Sequence, residues 1–201
     1  MTLLSFYRVS SEKRKYELKA RAESQRETAD RIAAAATSLH EEVGIANTTV
    51  ADIARRAGVR RPTVYAHFPD LAALLPACTA HWLGANPLPD LDPVFALEDP
   101  RERLRSALVL FYGWYRETAT MQQRLLSERT PVSVLDAWLE QSMDPVFAEL
   151  SAGLAAGFSR PEARVLVALA LDFWTWRRLD REGLDDGAAS KLMAEVVSDG
   201  D

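Results

Sequence analysis

Cysteine occurs once, at Cys78, so neither an intrachain disulfide nor a cysteine-based metal cluster is available. Histidine occurs at His40, His67 and His81, far apart in the chain and in no metal-ligand spacing. No apolar run approaches the ~18 residues of a membrane span. The longest runs from Val165 to Leu171 and is ended by Asp172. The opening MTLLSFYRVSSEKRK has no apolar stretch of signal-peptide type. With 9 glycines and 10 prolines in 201 residues, the chain is not of low complexity. Strand-like alternation bounded by hairpin turns, internal repeats, a Gly-rich phosphate loop and a nucleophile elbow are all missing. These absences leave little support for an enzyme, and no cofactor or metal is expected. The chain reads as a soluble, cytoplasmic protein.

What the sequence has is a core and a charge asymmetry. Hydrophobic residues make up 48% of the chain, and the net charge is −5. Residues 1–69 hold 12 Lys/Arg against 8 Asp/Glu, whereas residues 70–201 hold 12 against 21. A basic first third on an acidic protein is the distribution expected of a nucleic-acid reader joined to a separate second module.

The punctuation is helical. Acid or hydroxyl residues precede proline at Asp92-Pro93, Asp99-Pro100, Thr130-Pro131 and Asp144-Pro145, the pattern of an N-cap followed by a first-turn proline. Helices are expected over about 25–43, 50–57, 61–67, 70–84, 100–118, 120–129, 131–143, 145–156, 161–182 and 185–197. The fold class is therefore all-α. Residues 1–24 are polar and charged, and they form either a flexible arm or a helix running into the first one. Domain boundaries fall after residues 24 and 69.

The stretch VADIARRAGVRRPTVYAHF, residues 50–68, has the form of a helix-turn-helix. Ile53, Ala54 and Ala57 form a narrow apolar face, and Gly58 suits the left-handed exit of the first helix. Val59 and Val64 then fold back onto that face. Pro62 falls in the first turn of the second helix, where no intrahelical hydrogen bond is lost. The N-terminal end of this short helix suits a DNA major groove. Arg61 and Thr63 are placed to reach base edges, while Tyr65 and His67 lie further along, toward phosphates.

These residues resemble the TetR family of bacterial transcription regulators. The likeness runs through Arg31-Ile32, Ala36, Leu39, Glu42-Val43-Gly44, Thr48-Thr49-Val50, Asp52-Ile53-Ala54, Ala57-Gly58-Val59, Thr63-Val64-Tyr65 and His67-Phe68. The resemblance implies a homodimer on a near-palindromic operator. It places Arg61, Pro62, Thr63 and Ala66 at base edges, and Thr49, Tyr65 and His67 at phosphates. Leu71 stands where the family commonly has a lysine. Arg60, or the basic arm with Lys13, Arg14, Lys15, Lys19, Arg21 and Arg26, is left to supply that charge.

The remainder resembles the family's ligand-binding and dimerisation domain in kind only. Residues 161–182 are apolar around the circumference, which demands cover on every side. A dimer interface of Val165, Leu169, Asp172, Trp176, Leu192 and Val196 would provide it. Tyr112, Tyr115, Trp138, Phe173 and Trp174, with His81 or Gln122 as polar groups, are the candidate lining of a small-molecule pocket. Asp172 is expected to pair with Arg116 or Arg124, to meet a ligand cation or to face the dimer seam, the ion pair being favoured. Cys78 is expected to be a small buried residue.

The function expected is that of a ligand-responsive repressor. An effector would change the tilt of the helix after Asp70, and with it the spacing of two DNA-reading heads. The alternatives are a DNA-binding dimer without ligand response, and a helical small-molecule carrier or enzyme.

Overall fold

The computed structural model describes residues 3–199, with the side chains of residue 16 and of residues 18–199. Among the described residues all regular structure is helical, in the order α1 (Leu3–Val43), α2 (Val50–Ala57), α3 (Arg61–His67), α4 (Leu71–Ala85), α5 (Asp92–Phe95), α6 (Pro100–Ser127), α7 (Ser133–Ala155), α8 (Ala163–Leu171), α9 (Phe173–Arg181) and α10 (Asp186–Ser198). No helix among these residues is long and apolar enough to cross a membrane. The chain divides into two compact units, the first ending at Gly84 and the second beginning at Ala85.

The N-terminal unit is built on one apolar cluster. Ile32, Ala35, Ala36 and Leu39 of α1 meet Ile53, Ala54 and Ala57 of α2, Val64 of α3, and Leu74 and Cys78 of α4. Val50, Val59 and Phe68 pack around it. Because Leu74 and Cys78 lie inside this core, α4 groups with the helices before it. The unit therefore extends past the boundary at residue 69 drawn from sequence. The segment before residue 25 is helical from Leu3, so of the two expected forms it takes the helix continuing into α1.

In the C-terminal unit, α6 supplies the central wall through Leu104, Ala107, Leu108, Phe111, Tyr112 and Tyr115, all buried. The helices α7, α8, α9 and α10 pack around it and against one another. Three boundaries differ from the sequence expectation. Residues 100–127 form one helix rather than two, because Thr118 donates back to the Trp114 carbonyl at 2.6 Å instead of capping a new start. Residues 133–155 also form one helix, which runs through Pro145. Asp144, expected as a cap there, is held by Arg129 at 2.7 and 3.0 Å.

The third difference is a break at Asp172, inside the helix expected over 161–182. Its carboxylate accepts the Thr175 N–H at 2.9 Å and so starts α9. The carbonyls of Ala170 and Leu171, left at the end of α8, accept the hydroxyls of Tyr112 at 2.7 Å and Tyr115 at 2.6 Å. One cap and two phenols thus satisfy backbone groups that an unbroken helix would have paired internally.

Candidate nucleic-acid interface and the C-terminal unit

Local chemistry fixes the angle between α2 and α3. Thr49 caps α2: its hydroxyl oxygen accepts the Asp52 N–H at 3.2 Å, and its proton goes to the Asp52 carboxylate. At the other end Gly58 has φ +68°, and the Val59 N–H reaches the Ala54 carbonyl at 2.9 Å. This left-handed exit turns the chain so that Val64, 2% exposed, drops into the core. Arg60 precedes α3 in an extended conformation with no side-chain cap, and Pro62 sits in the first turn.

Burying Val64 turns the other side of α3 outward. Arg60, Arg61, Pro62, Tyr65 and Ala66 are exposed, Thr63 and His67 are half-buried, and Thr49 is exposed at the start of α2. Arg60 and Arg61 have no ion pair or hydrogen bond among the described residues, unlike their neighbours. Arg55 is held by Asp52 at 2.6 Å. Arg56 is held by both carboxylate oxygens of Glu42 and by Ser38. The outward face of α3 therefore combines two unengaged guanidinium groups, small residues that permit close approach, and hydroxyl and imidazole groups. That combination suits acceptor-rich base edges and phosphates. The Glu42–Arg56 clamp was not visible in the sequence, since its partners lie 14 residues apart on different helices.

His40 is buried in the N-terminal unit, and burial lowers its pKa to about 4. Cys78 is also buried, with its thiol raised to about 11 by desolvation, so it is an inert packing residue. The side chains of Lys13, Arg14 and Lys15 lie outside those described, while Lys19, Arg21 and Arg26 are exposed on α1.

In the C-terminal unit the aromatic residues are largely core. Tyr112, Tyr115 and Phe173 are buried, and burial raises both phenol pKa values. Their hydroxyls are engaged by the end of α8, so they are not free polar groups on a pocket wall. Gln122 is buried, Trp138 half-buried and Trp174 exposed, while His81 is exposed on α4 of the other unit. The structure thus gathers Tyr115, Phe173 and Trp176 into one aromatic cluster, with centroids 5.5 to 5.8 Å apart.

The expected dimer residues separate into two groups. Val165, Leu169, Leu192 and Val196 are exposed, and Val165 is 70% exposed. Trp176, by contrast, is covered within its own chain. Its indole N–H donates to Asp186 at 3.1 Å, and the guanidinium groups of Arg116 and Arg177 stand 5.6 and 5.9 Å from its ring centroid. Asp172 makes no ion pair with Arg116 or Arg124, because it caps α9 while Arg116 is taken by Asp180 and Asp186.

Residues 32–78 match the family described as bacterial regulatory proteins, tetR family. That span begins at Ile32 and ends at Cys78, the first and last residues of the buried N-terminal cluster. The chain belongs to the TetR family. An uncharacterized HTH-type transcriptional regulator of Mycobacterium bovis is 41% identical over 59 residues, which cover 29% of this chain and 31% of that protein. Another from Mycobacterium tuberculosis is 47% identical over 49 residues, 24% of this chain and 26% of that one. The matched segment thus spans about a third or less of these relatives. A TetR-like transcriptional regulator from Rhodococcus sp. RHA1 has a similar fold, with a TM-score of 0.60 at 22% identity, over 83% of this chain and 91% of that one. A further TetR-family structure from Rhodococcus sp. gives 0.59 at 20% identity, over 85% and 96%. The TetR-type fold therefore extends through the C-terminal helices, where sequence likeness has faded. Leu71, in place of the lysine common in the TetR family, is half-buried at the start of α4 and offers a phosphate nothing.

Proposed function

We propose that this protein is a sequence-specific DNA-binding transcription regulator that works as a homodimer in the cytoplasm, most simply as a repressor. The observation that carries the reading is the outward face of α3, where Arg60 and Arg61 stand unengaged beside Pro62 and Ala66 while Val64 anchors the helix from behind. In this reading Arg61 and Thr63 meet base edges, and Thr49, Arg60, Tyr65 and His67 meet phosphates. The apolar side chains Val165, Leu169, Leu192 and Val196 support pairing of two chains through α8 and α10. Two such heads on a twofold axis would favour a palindrome with half-sites about 34–36 Å apart.

Release by a small apolar or aromatic effector is the second part of the proposal. Its support is the concentration of aromatic side chains in the C-terminal unit, with Trp138 and Trp174 the members not fully buried. Linkage requires that such an effector weaken DNA by the same factor that DNA weakens the effector.

Selection of bound fragments from a random-sequence duplex pool tests the first part. Enrichment of a palindrome supports it, and a pool that stays random contradicts it. An effector that binds without changing DNA affinity contradicts the second part alone.

A further inference from the structure

The head that α3 presents is, taken by itself, electrically neutral. Residues 13–26 hold 6 Lys/Arg against 2 Asp/Glu. Residues 1–12 and 27–69 together hold 6 of each, so the whole positive excess of the first 69 residues lies in that 14-residue stretch. Two of the head's arginines are further neutralised locally, Arg55 by Asp52 and Arg56 by Glu42. A duplex carries one phosphate per about 1.7 Å of its axis, and affinity for it rests heavily on cation contacts. The neutral head supplies little of that attraction.

The stretch is part of α1 and is helical throughout. From Tyr16 to Arg31 every described side chain is exposed except Thr28 and Ala29, which are half-buried, and Ile32 is the first fully buried residue. At 1.5 Å per residue the helix before Ile32 is roughly 40 Å long, more than one turn of B-DNA. Lys19 and Arg26, seven residues apart, fall on one side of it. Arg21 and Arg26 have no ion pair among the described residues, and Lys19 has only an exposed one to Glu23 at 3.8 Å. An isolated helix without tertiary packing is marginal in water, so a partner of opposite charge would stabilise it.

We propose that this N-terminal extension of α1 is a second DNA-contacting element, which grips backbone phosphates outside the bases read by α3 and supplies most of the non-specific attraction. The inference rests on the proposed function. It divides the work between two parts of one unit: α3 selects the sequence, and the extension holds the polyanion. Phosphate contacts carry no direct sequence information. Removing the extension's charge should therefore lower affinity on every duplex alike.

The test is a salt titration of the full chain on its selected palindrome and on a scrambled duplex. The variant carries Lys13→Gln, Arg14→Gln, Lys15→Gln and Lys19→Gln, with helicity checked by circular dichroism because glutamine is itself a good helix former. Each lost phosphate contact lowers the slope of log affinity against log salt by about 0.9. The wild type should thus lose about 100-fold more affinity than the variant over a fourfold rise in salt, with the ratio of specific to scrambled binding unchanged. A smaller variant, Lys19→Gln with Arg21→Gln, should give about half that change in slope. Slopes equal to wild type in both variants overturn the inference, as does a change confined to self-association. A wild-type protein that selects no sequence removes the reading of α3 as well, so the two failures are distinguishable.

Discussion

Arg56 on α2 and Glu42 on α1 are joined through both nitrogens and both oxygens, Nη1 to Oε1 at 2.5 Å and Nη2 to Oε2 at 2.8 Å, with Ser38 bridging the pair. An arginine two residues before Gly58 and four before Arg60 thus belongs to the scaffold. Only the pair after the turn is free for a ligand. Arg56→Ala and Glu42→Ala should each lower the melting temperature slightly, and the double variant should be no worse than either single one. Additive losses would show that the two side chains do not act as a unit.

Gly58 and Val64 make the turn and its anchor. Gly58→Ala puts a Cβ into open space, so its cost is conformational, about 1 kcal/mol for the left-handed backbone at φ +68°. Val64→Ala removes buried methyl groups and should cost about 2 kcal/mol. Urea denaturation measures both. If Val64→Ala left the midpoint unchanged, Val64 would not be the buried anchor of α3.

His40 gives the N-terminal unit a defined acid sensitivity. Its pKa falls from 6.5 to about 4 on burial, so the folded state disfavours the proton that the unfolded state accepts. Stability is whole above pH 6.5 and is lost as pH falls toward 4. Between pH 7.5 and 5 the loss from this residue is about 2 kcal/mol. Denaturation of wild type and His40→Gln at both pH values isolates that contribution, because carboxylate effects are common to the two proteins. An equal pH dependence in both would show that His40 is not the group responsible.

The break between α8 and α9 is held by Asp172, Tyr112 and Tyr115. Asp172→Ala should cost about 1 kcal/mol through the lost cap. Tyr115→Phe should cost about 1–2 kcal/mol, because it leaves the Leu171 carbonyl buried without its donor. Tyr115→Phe behaving as wild type in thermal denaturation would mean that water replaces the phenol.

How far the sequence could be read follows from the range of the forces involved. The α2–α3 pair was legible because its determinants are local: a cap at Thr49, a left-handed glycine at residue 58, a proline in a first turn, and apolar residues at helical spacing. The same reasoning failed around Asp172 because the break depends on two phenols from α6, more than fifty residues away in the chain. Asp144 misled in the same way. It stands where a cap would stand, but an arginine 15 residues earlier holds it and the helix continues. Trp176 was assigned to a dimer seam because its helix is apolar on all sides. Its own chain covers it, through arginines that stack on the indole and an aspartate that takes its N–H.

The central claim is that α3 reads bases through Arg61. The direct measurement is the affinity of wild type and Arg61→Ala for the selected palindrome and for a scrambled duplex, at one fixed salt concentration. Loss of a bidentate arginine–guanine contact in each half-site should remove about 1–3 kcal/mol of discrimination per site, with scrambled binding lowered far less. A variant that keeps the wild-type ratio between the two duplexes would show that Arg61 reads nothing.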